Sequence, residues 1–293
     1  MNSYILLIRF KQWTKNFLCF AGIIFGGLFF DLNMWLLSFK TFSAFCFISS
    51  FVYILNDIFD KESDLKHPKK KRRPIANGNI SILSASFVAA IFLFTGLIIS
   101  YSINHTILYI VFYYIINNIL YNLFFKKLII LDVLSISLGF IFRLSAGIYA
   151  VYLVPSSWIV LCTFFLALFL GFSKRRAELA SVNQMVNFNQ RPVLKKYNIK
   201  FLDTLINEAS FGSIITYALF CIISKDNSNL IITIPIVYFA LMHYKNLVFQ
   251  KQHGEEPESV ILNDKVLLIS IVLWLFTFIA VMLYDVNLFY VFR

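Results

Sequence analysis

The feature that most constrains this chain is a succession of continuous apolar runs, each close to twenty residues long. At about 1.5 Å per residue, such a run matches the roughly 30 Å hydrocarbon core of a bilayer. The runs are continuous and do not alternate, which argues against a β-barrel. They fall at 17–37, 41–59, 82–103, 106–125, 129–153, 156–172, 202–223, 230–249 and 266–286. The sequence therefore predicts an all-α, polytopic integral membrane protein with nine transmembrane helices. No linker interrupts it, so a single domain over 1–293 is expected. Residues 1–15 lack a short apolar core followed by a small-residue cleavage site, so the first run is read as a retained span.

Charge placement tests the count. With a cytoplasmic N-terminus, only Lys40, Lys225 and Arg293 fall outside, and Arg143 lies within a span. The other 22 of the 26 Lys and Arg residues are then cytoplasmic, the asymmetry that sets topology. The long connections at about 60–81, 174–201 and 246–265 all lie on that side. The net charge of +11 reflects this topology and contact with anionic membrane lipids or substrate, and nucleic acid is not expected as a partner. Cys19, Cys46, Cys162 and Cys221 each stand alone in an apolar run, and His67, His105, His243 and His253 are scattered. Neither set has the spacing of a disulfide framework or a zinc site.

The polar chemistry concentrates at the mouth of the second run. Asn56, Asp57, Asp60 and Asp64 precede the basic run Lys69–Arg73 and Pro74-Ile75-Ala76-Asn77-Gly78. At about 100° per residue the three aspartates share one helix face, within about 60° of arc. Glu62 points away. Magnesium takes oxygen ligands, uses few protein carboxylates and fills its shell with water and substrate phosphate. Asp57, Asp60 and Asp64, with Asn56 as a neutral partner, suit that role, and Arg73 suits phosphate oxygens. The plainer alternative is a solvated helix end whose acids balance the basic run.

The order N-D-x-x-D-x-x-x-D followed by Arg73-Pro74-Ile75-Ala76-Asn77-Gly78 resembles the first signature of the UbiA superfamily of nine-helix intramembrane prenyltransferases. The resemblance implies a cytoplasm-facing polar cavity, Mg²⁺ as cofactor, and Asp57, Asp60 and Asp64 as catalytic metal-holding acids. Branches acting on quinone or haem precursors carry a second acid-rich motif after the fourth span. Here that stretch, Tyr121 to Asp132, keeps one acid, Asp132, joined by Arg143. These two share a face of one helix, about 16 Å apart along it. An Arg at that depth is costly unless it faces a polar cavity or a partner. It is read either as a structural arginine or as a cation for a phosphate-rich substrate.

This arrangement resembles the decaprenyl-phosphate phosphoribosyltransferase-like branch. Arg9-Phe10-Lys11-Gln12-Trp13-Thr14-Lys15-Asn16, then Lys174-Arg175-Arg176-Ala177-Glu178-Leu179 with Arg191, and Gly254-Glu255-Glu256 with Asp264, resemble its other signatures. The branch implies 5-phosphoribosyl diphosphate as donor and a polyprenyl phosphate as acceptor, at a bacterial inner membrane. It implies Asp132 as a further catalytic acid. It implies substrate contacts from Lys11, Lys15, Asn16, Asn56, Arg73, Tyr121, Lys126, Arg143, Arg175, Arg176 and Glu178. Lys11 and Lys15, four residues apart, are expected to present one cationic face. The alternative enzyme is an aromatic prenyltransferase of quinone or haem biosynthesis with a prenyl diphosphate donor. A transporter or lipid-binding protein is the non-enzymatic alternative. A homo-oligomer is compatible with the sequence.

Overall fold

The computed structural model describes residues 3–65, 70–184, 192–223, 228–250 and 257–283. Helices account for most of these residues, with no strand among them. The chain divides into two compact units, Met1–Val154 and Pro155–Arg293. Arg191, Gly254, Glu255, Glu256 and Lys69 lie outside the described residues.

In the first unit, α1 (Ser3–Ile8) leads into a 3-10 helix (Phe10–Phe20) and then α2 (Ala21–Gly26). Gly27, at φ 70°, ends α2, and Asp31 caps α3 (Leu32–Phe59) by accepting from the backbone N–H groups of Asn33 and Met34. The helix break at 27–31 falls inside the run predicted at 17–37. Hydropathy cannot see it, because both flanks are apolar and only a glycine with positive φ and a capping aspartate mark the break. The run predicted at 17–37 is therefore divided between the 3-10 helix with α2 and the start of α3, and α3 is longer than expected. The 3-10 stretch rises about 2 Å per residue, so the 3-10 helix and α2 together cover about 30 Å of chain contour.

The short α4 (Lys61–Leu65) follows α3. Then come α5 (Ile82–Ile103), α6 (His105–Leu123) and α7 (Leu131–Ala150). Among the described residues eight helices are long and apolar enough to cross a membrane, four of them in this unit. The chain is thus a multi-pass membrane protein. Since lipid is as apolar as the helices, close approach at small residues holds such helices together. A Cβ on Gly147 of α7 would lie 2.3 Å from the carbonyl oxygen of Cys19, and one on Gly22 2.4 Å from the carbonyl of Gly147. The 3-10 helix and α2 thus lie backbone to backbone against α7. Phe45, Ile48 and Ile54 of α3 pack with Ile107, Val111 and Tyr114 of α6 in the core, while Phe87 and Ile98 of α5 face outward.

The second unit holds α8 (Ser157–Gln184), α9 (Ile199–Ile223), α10 (Ile234–Gln250), α11 (Pro257–Asn263) and α12 (Lys265–Leu283). Helix α8 packs along α9, and α10 against α12. Trp274 Nε1 donates to the Tyr217 hydroxyl (2.7 Å), which also meets Thr233 Oγ1 (2.6 Å), tying α12 and the segment before α10 to α9.

Candidate active site

The aspartates sit where α3 ends. Asp60 is its C-terminal cap, yet the helical ladder runs on. Asp60 N–H donates to the Asn56 carbonyl (2.9 Å) and Asp64 N–H to that of Asp60 (2.8 Å). This continuity keeps Asp57, Asp60 and Asp64 on one stripe into α4. Asp57 and Asp64 are each 2% exposed, and Glu62 faces solvent.

Buried carboxylates need partners, and each aspartate here has a cation. Arg9 Nη2 donates to Asp57 Oδ1 in a short contact. Arg73 Nη1 donates to the same Oδ1 (3.0 Å) and to Asp64 Oδ2 (2.5 Å). Lys126 Nζ donates to Asp60 Oδ1 (2.6 Å). Three acids thus meet three basic side chains drawn from the N-terminal segment, the α4–α5 loop and the α6–α7 turn.

Local chemistry sets each cation. Arg9 lies between α1 and the 3-10 helix at φ 58°, ψ 50°, a left-handed conformation uncommon for a residue with a Cβ. On one side Ser50 Oγ donates to the Ile8 carbonyl (2.9 Å), and on the other Trp13 Nε1 donates to Ser50 Oγ (3.0 Å). That clip holds the turn against α3 and aims the guanidinium at Asp57, 5.3 Å over the Tyr53 ring. Burial pulls the Arg9 pKa down and the Asp57 carboxylate opposes that shift. Arg73 is placed by the turn on its C-terminal side. Ile75 and Ile80 are buried in the unit's core, Asn77 Oδ1 accepts from Asn79 N–H (3.0 Å), and Gly78 turns the chain at φ 80°. The Pro-Ile-Ala-Asn-Gly stretch is thus an anchored turn. Lys126 sits in a short 3-10 turn, Phe125–Lys127. Beyond it, Leu131 N–H donates to the Ile129 carbonyl (2.7 Å) across Ile130 at φ 67°, ψ −51°, a strained γ-turn that starts α7 just before Asp132.

Other expected site residues are placed differently. Arg143 is 4% exposed and fully engaged. Its Nε donates to Asn16 Oδ1 (2.8 Å), Nη1 to the Gly139 carbonyl (2.9 Å) and Nη2 to the Tyr114 hydroxyl (2.7 Å), with the guanidinium 4.9 Å from the Tyr114 ring centroid. Asn16 is wholly buried, and its Nδ2 reaches Ser49 Oγ (3.2 Å). Both therefore act as internal ties between the N-terminal segment, α3, α6 and α7. Lys11 is exposed, and Lys15 Nζ donates to Gln12 Oε1 (2.7 Å). The shared cationic face expected for these lysines does not form. At three residues per turn, positions four apart point about 120° away from each other. Asp132 is fully buried at the head of α7, and Tyr121 is half-buried near the end of α6.

In the second unit Arg175 is 1% exposed and donates to Glu178 Oε2 (2.8 Å). Arg176 Nε donates to Asp203 Oδ1 (2.5 Å), and its guanidinium lies 4.3 Å from the Phe249 ring centroid. These arginines tie α8 to its own turn, to α9 and to α10. His243 Nε2 meets Asp264 Oδ1 (3.1 Å), which also caps α12 by accepting from Leu267 N–H (3.0 Å).

Sequence reasoning passed over Arg9 and Tyr114 as site residues. Arg9 heads a stretch already singled out, but nothing in its spacing signals a turn that sends it 48 residues along the chain to Asp57.

The donor set suits a hard divalent cation in kind. Asn56, Asp57, Asp60 and Asp64 offer only oxygen acceptors, and Asn56 Oδ1 is a buried atom with no hydrogen-bond partner. Among the described residues no three acidic or thiol or imidazole groups converge on one point. Arg73 bridges Asp57 and Asp64, and Lys126 draws Asp60 aside.

The chain is 28% identical to decaprenyl-phosphate phosphoribosyltransferase of Mycolicibacterium smegmatis, over 94% of this chain and 91% of that protein. It is 29% identical to the protein of that name from Corynebacterium glutamicum, over 94% and 85%. Its fold matches the solved UbiA homolog from Archaeoglobus fulgidus bound to GPP and Mg²⁺, with a TM-score of 0.71 at 19% identity, covering 97% of this chain and all of that one. The model of the UbiA prenyltransferase family matches residues 16–262, which include the aspartate stripe, Arg73, Lys126 and Arg143, and the chain is therefore a member of the UbiA prenyltransferase family.

Proposed function

We propose that this protein transfers 5-phosphoribose from 5-phosphoribosyl diphosphate to a polyprenyl phosphate and releases diphosphate. The observation that carries the reading is the aspartate stripe with its three cations, Arg9, Arg73 and Lys126. Similarity to two decaprenyl-phosphate phosphoribosyltransferases along nearly their whole length supports the choice of donor and acceptor. So does the stretch from the end of α6 to the head of α7, where Asp132 is the lone acid.

In the reaction the bond from the sugar anomeric carbon to diphosphate breaks. A bond from that carbon to a phosphate oxygen of the lipid forms. The electron pair leaves with diphosphate, so the enzyme's task is to stabilise the charge that gathers there. Arg73 and Lys126 neutralise leaving-group oxygens, and Arg9 approaches from the N-terminal side. The attacking lipid phosphate is already ionised, so no general base is required. Mg²⁺, held by Asn56, Asp57, Asp60 and Asp64, supplies further charge neutralisation when bound. Asn16 and Arg143 position the N-terminal segment, and Asp132 and Tyr121 lie beside the α6–α7 turn that carries Lys126. Arg175, Arg176 and Glu178 are assigned to holding the cytoplasmic end of α8.

The charge asymmetry supports a site open to the cytoplasm of a bacterial inner membrane, where a phosphorylated sugar donor is available. The family match runs through both compact units, which supports treating 1–293 as one UbiA-like domain.

The test is transfer of labelled ribose phosphate by the purified protein to an extractable polyprenyl phosphate in the presence of Mg²⁺. Turnover of a prenyl diphosphate with an aromatic acid, and none of the ribosyl donor, contradicts the reading.

A further inference from the structure

The three aspartates are paired with three cations, Arg9, Arg73 and Lys126. Arg9 and Arg73 share a single oxygen of Asp57, and Arg73 also spans to Asp64. A divalent cation approaching Asp57 and Asp64 therefore meets two guanidinium groups on the oxygens it needs. Like charges at hydrogen-bond range oppose its entry, more strongly near the protein than in bulk water. A diphosphate changes the balance, because its oxygens accept the same bidentate hydrogen bonds that Arg donates to carboxylates.

We infer that Arg9 and Arg73 act as exchangeable counter-ions of the aspartate stripe, moving from Asp57 and Asp64 onto diphosphate oxygens and so coupling metal binding to diphosphate binding. The inference rests on the site being a metal and diphosphate site, as proposed above. It implies that the metal is taken up with the donor and not before it.

The geometry fits a side-chain movement with a fixed backbone. Arg9 sits in its left-handed turn between two contacts of Ser50, with the Ile8 carbonyl on one side and Trp13 Nε1 on the other. A non-glycine residue in that conformation persists where its surroundings hold it. Its side chain keeps 19% of its surface exposed, and that of Arg73 24%, whereas Asp57 keeps 2%. The guanidinium groups have room to leave, and the carboxylate stays. Arg9 can turn its guanidinium away from Asp57 while its backbone stays held by the flanking Ile8 and Trp13 contacts with Ser50. The exchange also favours order. A metal alone would leave two arginines beside a divalent ion, and a diphosphate alone would face the three carboxylates. Arriving together, the two ligands bring opposite charges, so neither faces only like charges.

Coupling of this kind is reciprocal and has a measurable size, commonly 5- to 150-fold for two ligands on one protein. The detergent-solubilised full chain is titrated with Mn²⁺ alone and with the preformed equimolar Mn²⁺–pyrophosphate complex. Protein-bound manganese is followed by water-proton relaxation. The wild type should bind the complex at least about tenfold more tightly than Mn²⁺ alone. Arg9→Gln should bind Mn²⁺ alone about tenfold more tightly than the wild type and lose most of its preference for the complex. Unchanged or weaker Mn²⁺ binding in Arg9→Gln overturns the exchange. If Mn²⁺ binding disappears in Asp57→Asn but ignores Arg9→Gln, the metal site stands and the counter-ion role falls. If the wild type binds neither form, the site reading and this inference fall together. Should Arg9→Gln not fold, Arg73→Gln removes the other guanidinium on the same Asp57 oxygen and is read the same way. Equal wild-type affinities for Mn²⁺ and its complex also overturn the inference.

Discussion

Arg143 donates its Nε to the side-chain oxygen of Asn16 at 2.8 Å, across 127 residues of sequence. The bond joins the middle of α7 to the 3-10 helix that carries Lys11 and Lys15 and that Arg9 immediately precedes. Both side chains are buried, so the pair stabilises the first unit's packing and sets where the N-terminal cations lie. Losing Asn16 strands a charged donor in an apolar interior, at a cost of about 2 kcal/mol. Asn16→Ala and Arg143→Met should each lower the melting temperature. Their effects should fall short of additive by about 1 to 2 kcal/mol in a double-mutant cycle. Strict additivity would mean that the two side chains act separately.

Gly147 permits the same junction by a different route. An added methyl meets the Cys19 carbonyl, which is backbone and cannot rotate away. Gly147→Ala should therefore push the 3-10 helix off α7. It should cost about 1 to 3 kcal/mol and raise KM for the donor, since Asn16 and Arg9 travel with that helix. A folded variant with unaltered stability and KM would show that the contact is not tight.

Lys126 reaches Asp60 at 2.6 Å from a different part of the chain. A charge-assisted bond to a diphosphate oxygen is worth about 1.5 to 3 kcal/mol. Lys126→Gln should raise KM for the ribosyl donor at least about tenfold. Acceptor KM should change little. Asp57→Asn and Asp60→Asn should abolish turnover while the protein remains folded. Full activity in either variant would remove that residue from the metal assignment.

Asp264 offers a pH test in the second unit. The Leu267 N–H holds its carboxyl below the usual carboxylate range, with His243 adding to the effect. A depressed folded pKa contributes stability above the unfolded value of about 3.9. That contribution is lost as pH falls through the folded value. Asp264→Ala should melt below the wild type at pH 7, and the gap should narrow as pH falls below about 4. Thermal melts at pH 7 and pH 3 check this, and an equal gap at both would show that the cap does not depend on ionisation.

The stripe was legible because its logic is local. Three aspartates at helical spacing share a face wherever the helix goes, and the ladder through Asp60 keeps them in register. The apolar runs were legible for the same reason. The first boundary was not, since Gly27 and Asp31 break a stretch whose hydropathy is continuous. On α-helical pitch Lys11 and Lys15 share one face, and a 3-10 helix turns them apart. The contacts of Arg9 and Arg143 were beyond reach because they depend on partners far along the chain. One of them also depends on a left-handed turn at a residue whose type does not ask for it.

Ribosyl transfer leaves two products that can be counted, ribosylated lipid and diphosphate. Purified full-length protein in lipid or detergent, given Mg²⁺, a polyprenyl phosphate and labelled 5-phosphoribosyl diphosphate, should place label in the lipid and release an equal amount of diphosphate. Asp57→Asn should do neither. Labelled lipid that forms equally well in Asp57→Asn contradicts the account. So does a wild-type protein that leaves the ribosyl donor untouched while joining a prenyl diphosphate to an aromatic acid.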